Sequence, residues 1–218
     1  MHSLTEENYL KALYNLANEL GEVNVHDLSN ALSIKMPTVT SMMKKLATKG
    51  LVHYESYRPL RLTDSGRREA ALIIRKHRLT EMYLVQKMGF GWEEVHEIAE
   101  QIEHIHAPEF FARMDEMLGF PMTDPHGSPI PDAKGNILLP EYEKLSGCQP
   151  HQPLKLAAVL NTGDDFLTYL NKHDLRLGRT FTLVDREPFD LSIQIQFEDG
   201  RILTLSAAVS DKLLVVPG

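Results

Sequence analysis

The sequence predicts a mainly α protein with a small β domain at its C-terminal end. Up to about residue 120, apolar side chains recur at the three- and four-residue spacing of amphipathic helices. Seven of the twelve prolines then lie between Pro121 and Pro153, which predicts an extended linker. Beyond it, short β-prone runs are punctuated by Gly and Asp. We therefore expect domains at residues 1–65, 66–120 and 153–218, with a proline-rich linker at 121–152.

The first domain is predicted to contain three helices and a hairpin. The helices are expected at residues 5–20, 26–32 and 34–49, and the hairpin at 51–62. Gly21 ends the first helix, while Pro37 is tolerated in the first turn of the third, which Gly50 ends. Three helices followed by a hairpin, with a short turn between the second and third helices, describe a winged helix-turn-helix. That arrangement suits the third helix to the DNA major groove.

The remaining elements follow from caps, glycines and strand-forming runs. Thr63, Asp64 and Ser65 offer N-cap side chains for a long helix at about 66–88. Two further helices are expected at 92–106 and 108–118. In the C-terminal domain a short helix is expected at 164–172, and strands at 156–159, 180–185, 191–197, 201–205 and 213–216. Five short strands of this kind predict a small barrel.

Composition and charge limit the possible functions. Of the 218 residues, 43% are hydrophobic and 24% charged, which excludes a wholly disordered chain. The net charge is −7, but residues 35–78 carry 11 Lys and Arg against 3 Asp and Glu, whereas residues 79–150 carry 4 against 13. A basic block beside an acidic block predicts one part that contacts phosphates and one that binds cations.

The expected location is the cytoplasm. Cys148 is the only cysteine, so no intrachain disulfide can form, as is usual in a reducing compartment. The first residues lack the apolar run of a signal peptide, and no apolar stretch is long enough to span a membrane.

The basic block supplies the candidate DNA-binding residues. Thr38, Thr40 and Ser41 begin the third helix, where small polar groups can hydrogen-bond to base edges. Phosphate contacts are predicted for lysines along the helix and for the hairpin tip. The full set is Lys35, Pro37, Thr38, Thr40, Ser41, Lys44, Lys45 and Arg58, with Tyr57 and Arg61 also on the hairpin. A solvated helix with ordinary capping is the alternative, but helices, hairpin and charge together favour DNA binding.

The acidic block supplies candidate metal ligands. His77 and Glu81 are four residues apart on one helix, and His96, Glu100 and Glu103 share a face of the next, with His104 beside them. These nitrogen and oxygen ligands make Mn²⁺, Fe²⁺ and Zn²⁺ the first candidates. A solvated helix rich in Glu and His is the alternative. His106 lies off this face and is expected to be structural or exposed.

Several stretches of the chain resemble the DtxR/MntR family of metal-dependent transcriptional repressors. The matching stretches are YLKALY, PTVTSMMKKLATKGLVHYESYRPLRLTDSG, RKHRLTE, VHEIAEQIEH and HGSPIP. The resemblance covers about residues 4–131, and the last 65 or so residues are more loosely similar to the family's SH3-like, FeoA-type domain. It implies a winged helix-turn-helix at 1–65, a helical dimerisation and metal-binding domain at 66–120 and an SH3-like domain at 153–218.

The resemblance also implies an activating metal site formed by Asn8, Glu100, Glu103 and His104, with His77 close by. Family members have Asp or Met at the position of Asn8, and manganese-type members have a carboxylate at the position of Lys11. Glu100 stands where iron-type members have Cys. An all-oxygen-and-nitrogen ligand set favours Mn²⁺ over Fe²⁺.

For a second site the resemblance leaves two ligand sets open. Iron-type members would use His77, Glu81 and His96. Manganese-type members would pair Glu81 with Asp124, His126 and either Asp164 or Asp165 of the last domain. The chain has the residues for both sets.

The family mechanism implies a homodimer that binds pseudo-palindromic operator DNA and controls metal homeostasis. An ion linking the first helix to the central domain would set where two recognition helices point. The dimer contact is expected from apolar residues of the later helices: Ile98, Ile102, Phe110, Phe111, Met114 and Leu118. The alternative functions are those of a metal-independent regulator and of a His/Glu metallohydrolase. No HExxH motif, nucleophile triad or phosphate loop appears, so we expect neither an enzyme nor a small-molecule substrate.

Overall fold

A computed structural model describes residues 2–160 and 162–218. These residues form two compact units. The first unit comprises residues 2–80, 99–117 and 130–138, and the second comprises 81–98, 118–129 and 139–218 apart from residue 161. Each unit has its own hydrophobic core. No helix in the described part of the chain is both long and apolar enough to cross a membrane.

Three helices open the first unit: α1 (Leu4–Leu16), α2 (Val25–Ala31) and α3 (Met36–Thr48). A capping box starts α1, because the Ser3 hydroxyl accepts from the Glu6 amide and the Glu6 carboxylate accepts from the Ser3 amide. The helix ends four residues earlier than predicted. Its exit is set by Asn18, whose side-chain oxygen accepts hydrogen bonds from the amides of Leu20 and Glu22.

The predicted hairpin is present and gains a third strand. Strands β2 (Val52–His53) and β3 (Leu60–Leu62) pair antiparallel, and β1 (Glu22–Val23) pairs with the other side of β3. Arg61 was predicted near the hairpin tip, but it lies within β3, and its guanidinium is paired with Glu22. The core of this region is formed by Tyr9, Leu10, Leu13, Val23, Leu28, Val39, Met43, Leu46, Leu51, Val52, Leu60, Leu62, Ala70 and Ile73.

Helices α4 (Asp64–Met88), α5 (His96–Ile102) and α6 (Pro108–Met117) follow. α5 is shorter than the predicted 92–106 helix. Trp92 stays outside it because the indole Nε1 donates to Asn171 Oδ1 at 2.9 Å, and the ring packs against the second core. Gly66 in α4 is required by close packing, since an added Cβ would lie 1.9 Å from the Leu51 carbonyl oxygen.

The C-terminal sheet has six strands rather than the five predicted. They are β4 (Glu143–Lys144), β5 (Pro153–Val159), β6 (Thr180–Arg186), β7 (Ile193–Phe197), β8 (Ile202–Leu205) and β9 (Leu213–Pro217). Their order is β4-β9-β5-β6-β7-β8, and all pairs are antiparallel. Helices α7 (Asp164–Lys172) and α8 (Ala207–Ser210) complete the fold.

The segment predicted as an extended linker contains ordered structure. Residues Thr123 and Pro129 form an isolated antiparallel bridge, β4 joins the sheet, and a short 3-10 helix spans Leu145–Gly147. Leu145 and Cys148 are buried in the second core. Burial raises the pKa of the Cys148 thiol to about 11, so this cysteine serves packing.

Candidate functional site

The exposed side of α3 carries the residues predicted to contact DNA. Val39, Met43 and Leu46 face the core, so the opposite face is left to solvent. Thr40 is half-buried on the border between the faces, and the exposed set is Lys35, Pro37, Thr38, Ser41, Lys44 and Lys45. At the hairpin tip, Tyr57 and Arg58 are exposed as well.

Among the predicted DNA contacts, Lys45, like Arg61, already has an anionic partner. Its Nζ lies 3.2 Å from Glu6 Oε1, and Lys49 Nζ lies 2.6 Å from the same oxygen. The hydrogen bond from Lys49 and that from the Ser3 amide outweigh burial, which lowers the pKa of Glu6 to about 2. Glu6 therefore joins the start of α1 to the end of α3.

Glu103 is the centre of a buried ionic cluster in the first unit. Its carboxylate is fully buried, and His77 Nδ1 lies 2.6 Å from Oε2. Lys11 Nζ donates to both Glu103 oxygens at 2.9 and 2.8 Å and to Glu100 Oε1 at 2.6 Å. Burial raises the pKa of Glu103, but the His77 hydrogen bond and the Lys11 charge outweigh it, and the net pKa is lowered. We call Glu7, Lys11, His77, Glu100, Glu103 and His104 the Glu103 cluster.

His104 is oriented by Glu7, a residue that the sequence analysis did not single out. His104 Nδ1 lies 2.6 Å from Glu7 Oε2, so it donates there, and Nε2 faces Glu103 Oε1 at 3.6 Å. Glu7 lies on α1 three residues before Leu10 of the core, and this helical spacing places it on the buried face. Asn8 Oδ1 is buried and has no hydrogen-bond partner among the residues that the structure describes.

A second cluster of ligand-type side chains lies in the second unit. Glu81, Asp124 and His126 are buried, and one ligand atom from each lies within 4.8 Å of the others. His126 Nδ1 is 3.9 Å from Glu81 Oε2 and 4.0 Å from Asp124 Oδ1. We call these three residues the His126 cluster.

The backbone fixes the tautomer of His126. Nε2 lies 2.8 Å from the Trp92 carbonyl oxygen, which can only accept, so Nε2 carries the proton. In the neutral ring, Nδ1 then presents a lone pair toward the two carboxylates. This is the arrangement that orients a metal-binding histidine.

A tight turn places Asp124 and His126. Asp124 Oδ1 accepts from the amides of His126 at 2.8 Å and Ser128 at 2.9 Å. Gly127 has a φ of +85°, and a Cβ there would lie 2.2 Å from the Ala157 carbonyl oxygen. The turn thus needs glycine both for its backbone conformation and for its approach to β5.

The other predicted ligands are placed as follows. His96 is exposed, and its Nδ1 lies 3.3 Å from Glu81 Oε1. The alternative set of His77, Glu81 and His96 draws on residues of both units and stays a prediction. Asp164 and Asp165 are exposed in the first turn of α7. His106, expected to be structural or exposed, is exposed and lies 3.9 Å from Glu7 Oε1.

The residues predicted for a dimer contact divide by exposure. Phe111 and Met114 are buried within the chain, and Ile98, Ile102 and Leu118 are half-buried. Phe110 is 44% exposed, which leaves a large apolar surface on α6.

Three family models match the chain in order. Residues 1–60 match "Iron dependent repressor, N-terminal DNA binding domain" and residues 63–132 match "Iron dependent repressor, metal binding and dimerisation domain". Residues 143–217 match the FeoA domain.

Curated relatives and solved structures agree with these matches. The chain is 36% identical over 127 residues to the iron-dependent repressor IdeR of Mycobacterium bovis, covering 58% of this chain but only 55% of that protein. It therefore spans about half the length of that relative. It is 29% identical over 194 residues to the diphtheria toxin repressor of Corynebacterium efficiens, covering 84% of each.

Among solved structures, a manganese-dependent transcriptional repressor in complex with manganese superposes with a TM-score of 0.88. It is 32% identical, over 97% of this chain and 99% of that one. The manganese regulator SloR superposes with a TM-score of 0.76 at 29% identity, over 98% of each chain. The three domain matches, in this order along the chain, and the similarity to solved structures over nearly the whole chain show that it belongs to the DtxR/MntR family of metal-dependent transcriptional repressors.

Proposed function

We propose that this protein is a metal-activated transcriptional repressor that binds operator DNA as a homodimer in the cytoplasm. The observation that carries the proposal is the His126 cluster, which collects two carboxylates and an oriented imidazole in a buried position. The exposed polar face of α3 provides the DNA-binding surface. The expected role is control of metal homeostasis, with Mn²⁺ favoured and Fe²⁺ as the second candidate.

The donor chemistry of the His126 cluster fits a divalent ion. Glu81 and Asp124 together carry a formal charge of −2, and His126 adds a neutral nitrogen. Oxygen and nitrogen ligands without sulfur suit Mn²⁺ and Fe²⁺. When bound, the ion supplies the charge that holds the three ligands together. Acid weakens this site, because the ligands bind only when deprotonated.

DNA recognition is assigned to α3 and the hairpin. In this proposal Thr38, Thr40 and Ser41 contact base edges, and Lys35, Lys44 and Arg58, which are exposed, contact phosphates. In a dimer, the two winged helix-turn-helix domains, which we call the DNA-binding heads, match successive major grooves, about 34 Å apart. A pseudo-palindromic operator follows from that symmetry. Metal acts by favouring the dimer conformation that fits this spacing.

The test is operator binding titrated with each ion under anaerobic conditions. A fluorescent duplex is first selected from genomic fragments that the protein retains in Mn²⁺, and its anisotropy is then measured with Mn²⁺, Fe²⁺ or a chelator. We expect tight binding with metal and weak binding with chelator. Equal binding in both would indicate a metal-independent regulator instead.

Two variants assign the response to the His126 cluster. His126→Gln retains a donor for the Trp92 carbonyl but removes Nδ1, so it should abolish metal stimulation. His151→Asn is the matched control, because His151 is an exposed histidine of the same unit and Asn tolerates its φ of +64°. Full stimulation of His126→Gln would contradict the assignment.

A further inference from the structure

The Glu103 cluster already contains a cation of its own, the ammonium group of Lys11. Lys11 Nζ lies within 2.9 Å of three carboxylate oxygens, two from Glu103 and one from Glu100. It also lies 3.4 Å from His77 Nδ1. The Lys11 side chain is only 13% exposed. The ammonium therefore occupies the position in which a metal ion would contact the same carboxylate oxygens.

The charge balance of this cluster differs from that of the His126 cluster. Glu7, Glu100 and Glu103 contribute three negative charges, and the ammonium of Lys11 returns one positive charge. A divalent ion that bound the same Glu100 and Glu103 oxygens would lie next to this ammonium, and the two cations would repel each other. The ion can therefore enter only if the ammonium leaves.

We propose that Lys11 takes the place of a metal ion in the Glu103 cluster and joins α1 to α5 whether or not the protein has bound metal. Metal sensing is thereby assigned to the His126 cluster. This inference deepens the proposed function, because it states which ligand set responds to the ion. It also means that the DNA-binding head keeps its connection to α5 in a chelator.

The structure shows how solvent reaches the ammonium. Asn8, Lys11 and Glu100 lie together along a surface cavity of about 380 Å³ that also extends to Leu32 of the α2–α3 turn. Removing the ammonium should therefore open Glu100 and Glu103 to ions from solution, and Asn8 Oδ1 offers a further oxygen at the cavity wall.

The first experiment counts bound Mn²⁺ by equilibrium dialysis of the full chain. We expect one ion per chain in the wild type, none in His126→Gln, two in Lys11→Met and one in the Lys11→Met, His126→Gln double variant. The inference is overturned if His126→Gln keeps one ion that Glu103→Gln removes, because the ion would then bind beside Lys11. If the wild type binds none but the double variant binds one, the inference stands and the proposed function fails.

The second experiment asks whether Mn²⁺ rescues the loss of the ammonium. In EDTA, Lys11→Met should lower the Tm by on the order of 10 °C, since Glu103 loses its buried partner. Mn²⁺ should restore that Tm in the double variant. Lys49→Met combined with His126→Gln is the matched control, because it removes a 2.6 Å contact with Glu6 and should not be rescued by Mn²⁺. If Lys11→Met does not fold, Lys11→Glu supplies an additional oxygen ligand and should fold only with Mn²⁺. Absence of rescue in both Lys11 variants overturns the inference.

Discussion

Single residues decide which ligand atoms are available in each cluster. His126 donates Nε2 to a backbone carbonyl and presents Nδ1, whereas His104 donates Nδ1 to Glu7 and presents Nε2. Lys11 then gives the two clusters different roles. It puts a positive charge among the carboxylates of the Glu103 cluster, so the metal ion is left to the His126 cluster. Ligand identity alone, read from spacing, does not reveal either effect.

At the residue scale, Glu6 predicts a pH dependence of stability. Its lowered pKa means that its contribution is fully present above its ordinary pKa of 4.5 and is lost as the pH falls toward about 2. Glu6→Gln should therefore lower the free energy of unfolding by about 1–3 kcal/mol at pH 7 and change it very little near pH 2. Urea unfolding of both proteins across this range checks the prediction, and a cost that does not change with pH would contradict it.

At the element scale, α3 divides affinity from selectivity. Ser41→Ala should change the preference among operator variants by about 1–3 kcal/mol if it holds a base contact. Lys44→Ala should instead weaken binding to all duplexes alike. It should also make the fall of log K with log salt concentration less steep, by about one in the slope. Anisotropy titrations at several salt concentrations measure both effects. An unchanged preference in Ser41→Ala would remove that residue from the base-reading set.

The turn before β5 gives a second prediction at this scale. Gly127→Ala should lower Mn²⁺ affinity by about tenfold or more, because the Cβ would displace the turn that holds Asp124 and His126. Gly178→Ala is the matched control, since its φ of +84° imposes the same backbone strain while no atom of residues 2–160 and 162–218 lies within 4 Å of the added Cβ. Equal losses in the two variants would show that strain, not the clash with Ala157, is responsible.

Local signals predicted those elements whose boundaries depend on neighbouring residues. α7 matches residues 164–172 because acidic residues begin it and an apolar face repeats at helical spacing. α5 was overestimated, since Trp92 is held by Asn171, 79 residues away in the sequence. Strands β1 and β4 were missed because two-residue strands carry no periodicity and exist only through pairing with β3 and β9.

The same limit applies to the candidate sites. The ligand-type residues were found from their spacing and from the family resemblance. The contacts of Lys11 with Glu100 and Glu103 were not, because they span 89 and 92 residues of sequence. Glu7 was missed for the same reason, since its partner His104 lies 97 residues later.

At the scale of the whole molecule, the proposed mechanism needs two heads. The exposed Phe110 is our candidate for the contact between copies, because it leaves a large apolar group on the surface of α6. Phe110→Glu should give a monomer with weaker operator binding, measured by sedimentation and anisotropy. Phe189→Glu, at a residue that is 95% exposed in the second unit, is the control and should stay dimeric. A dimeric Phe110→Glu would place the interface elsewhere.

Trp92 links the orientation of His126 to the C-terminal sheet domain. Its carbonyl oxygen fixes the imidazole, its indole is held by Asn171 of α7, and its ring stacks on His126 with centroids 5.9 Å apart. Since it is also the only tryptophan of the chain, its emission comes from a single fluorophore. Mn²⁺ is a paramagnetic quencher, so its binding to His126 should weaken that emission. Tryptophan fluorescence of the native protein should therefore report whether the His126 cluster has bound Mn²⁺.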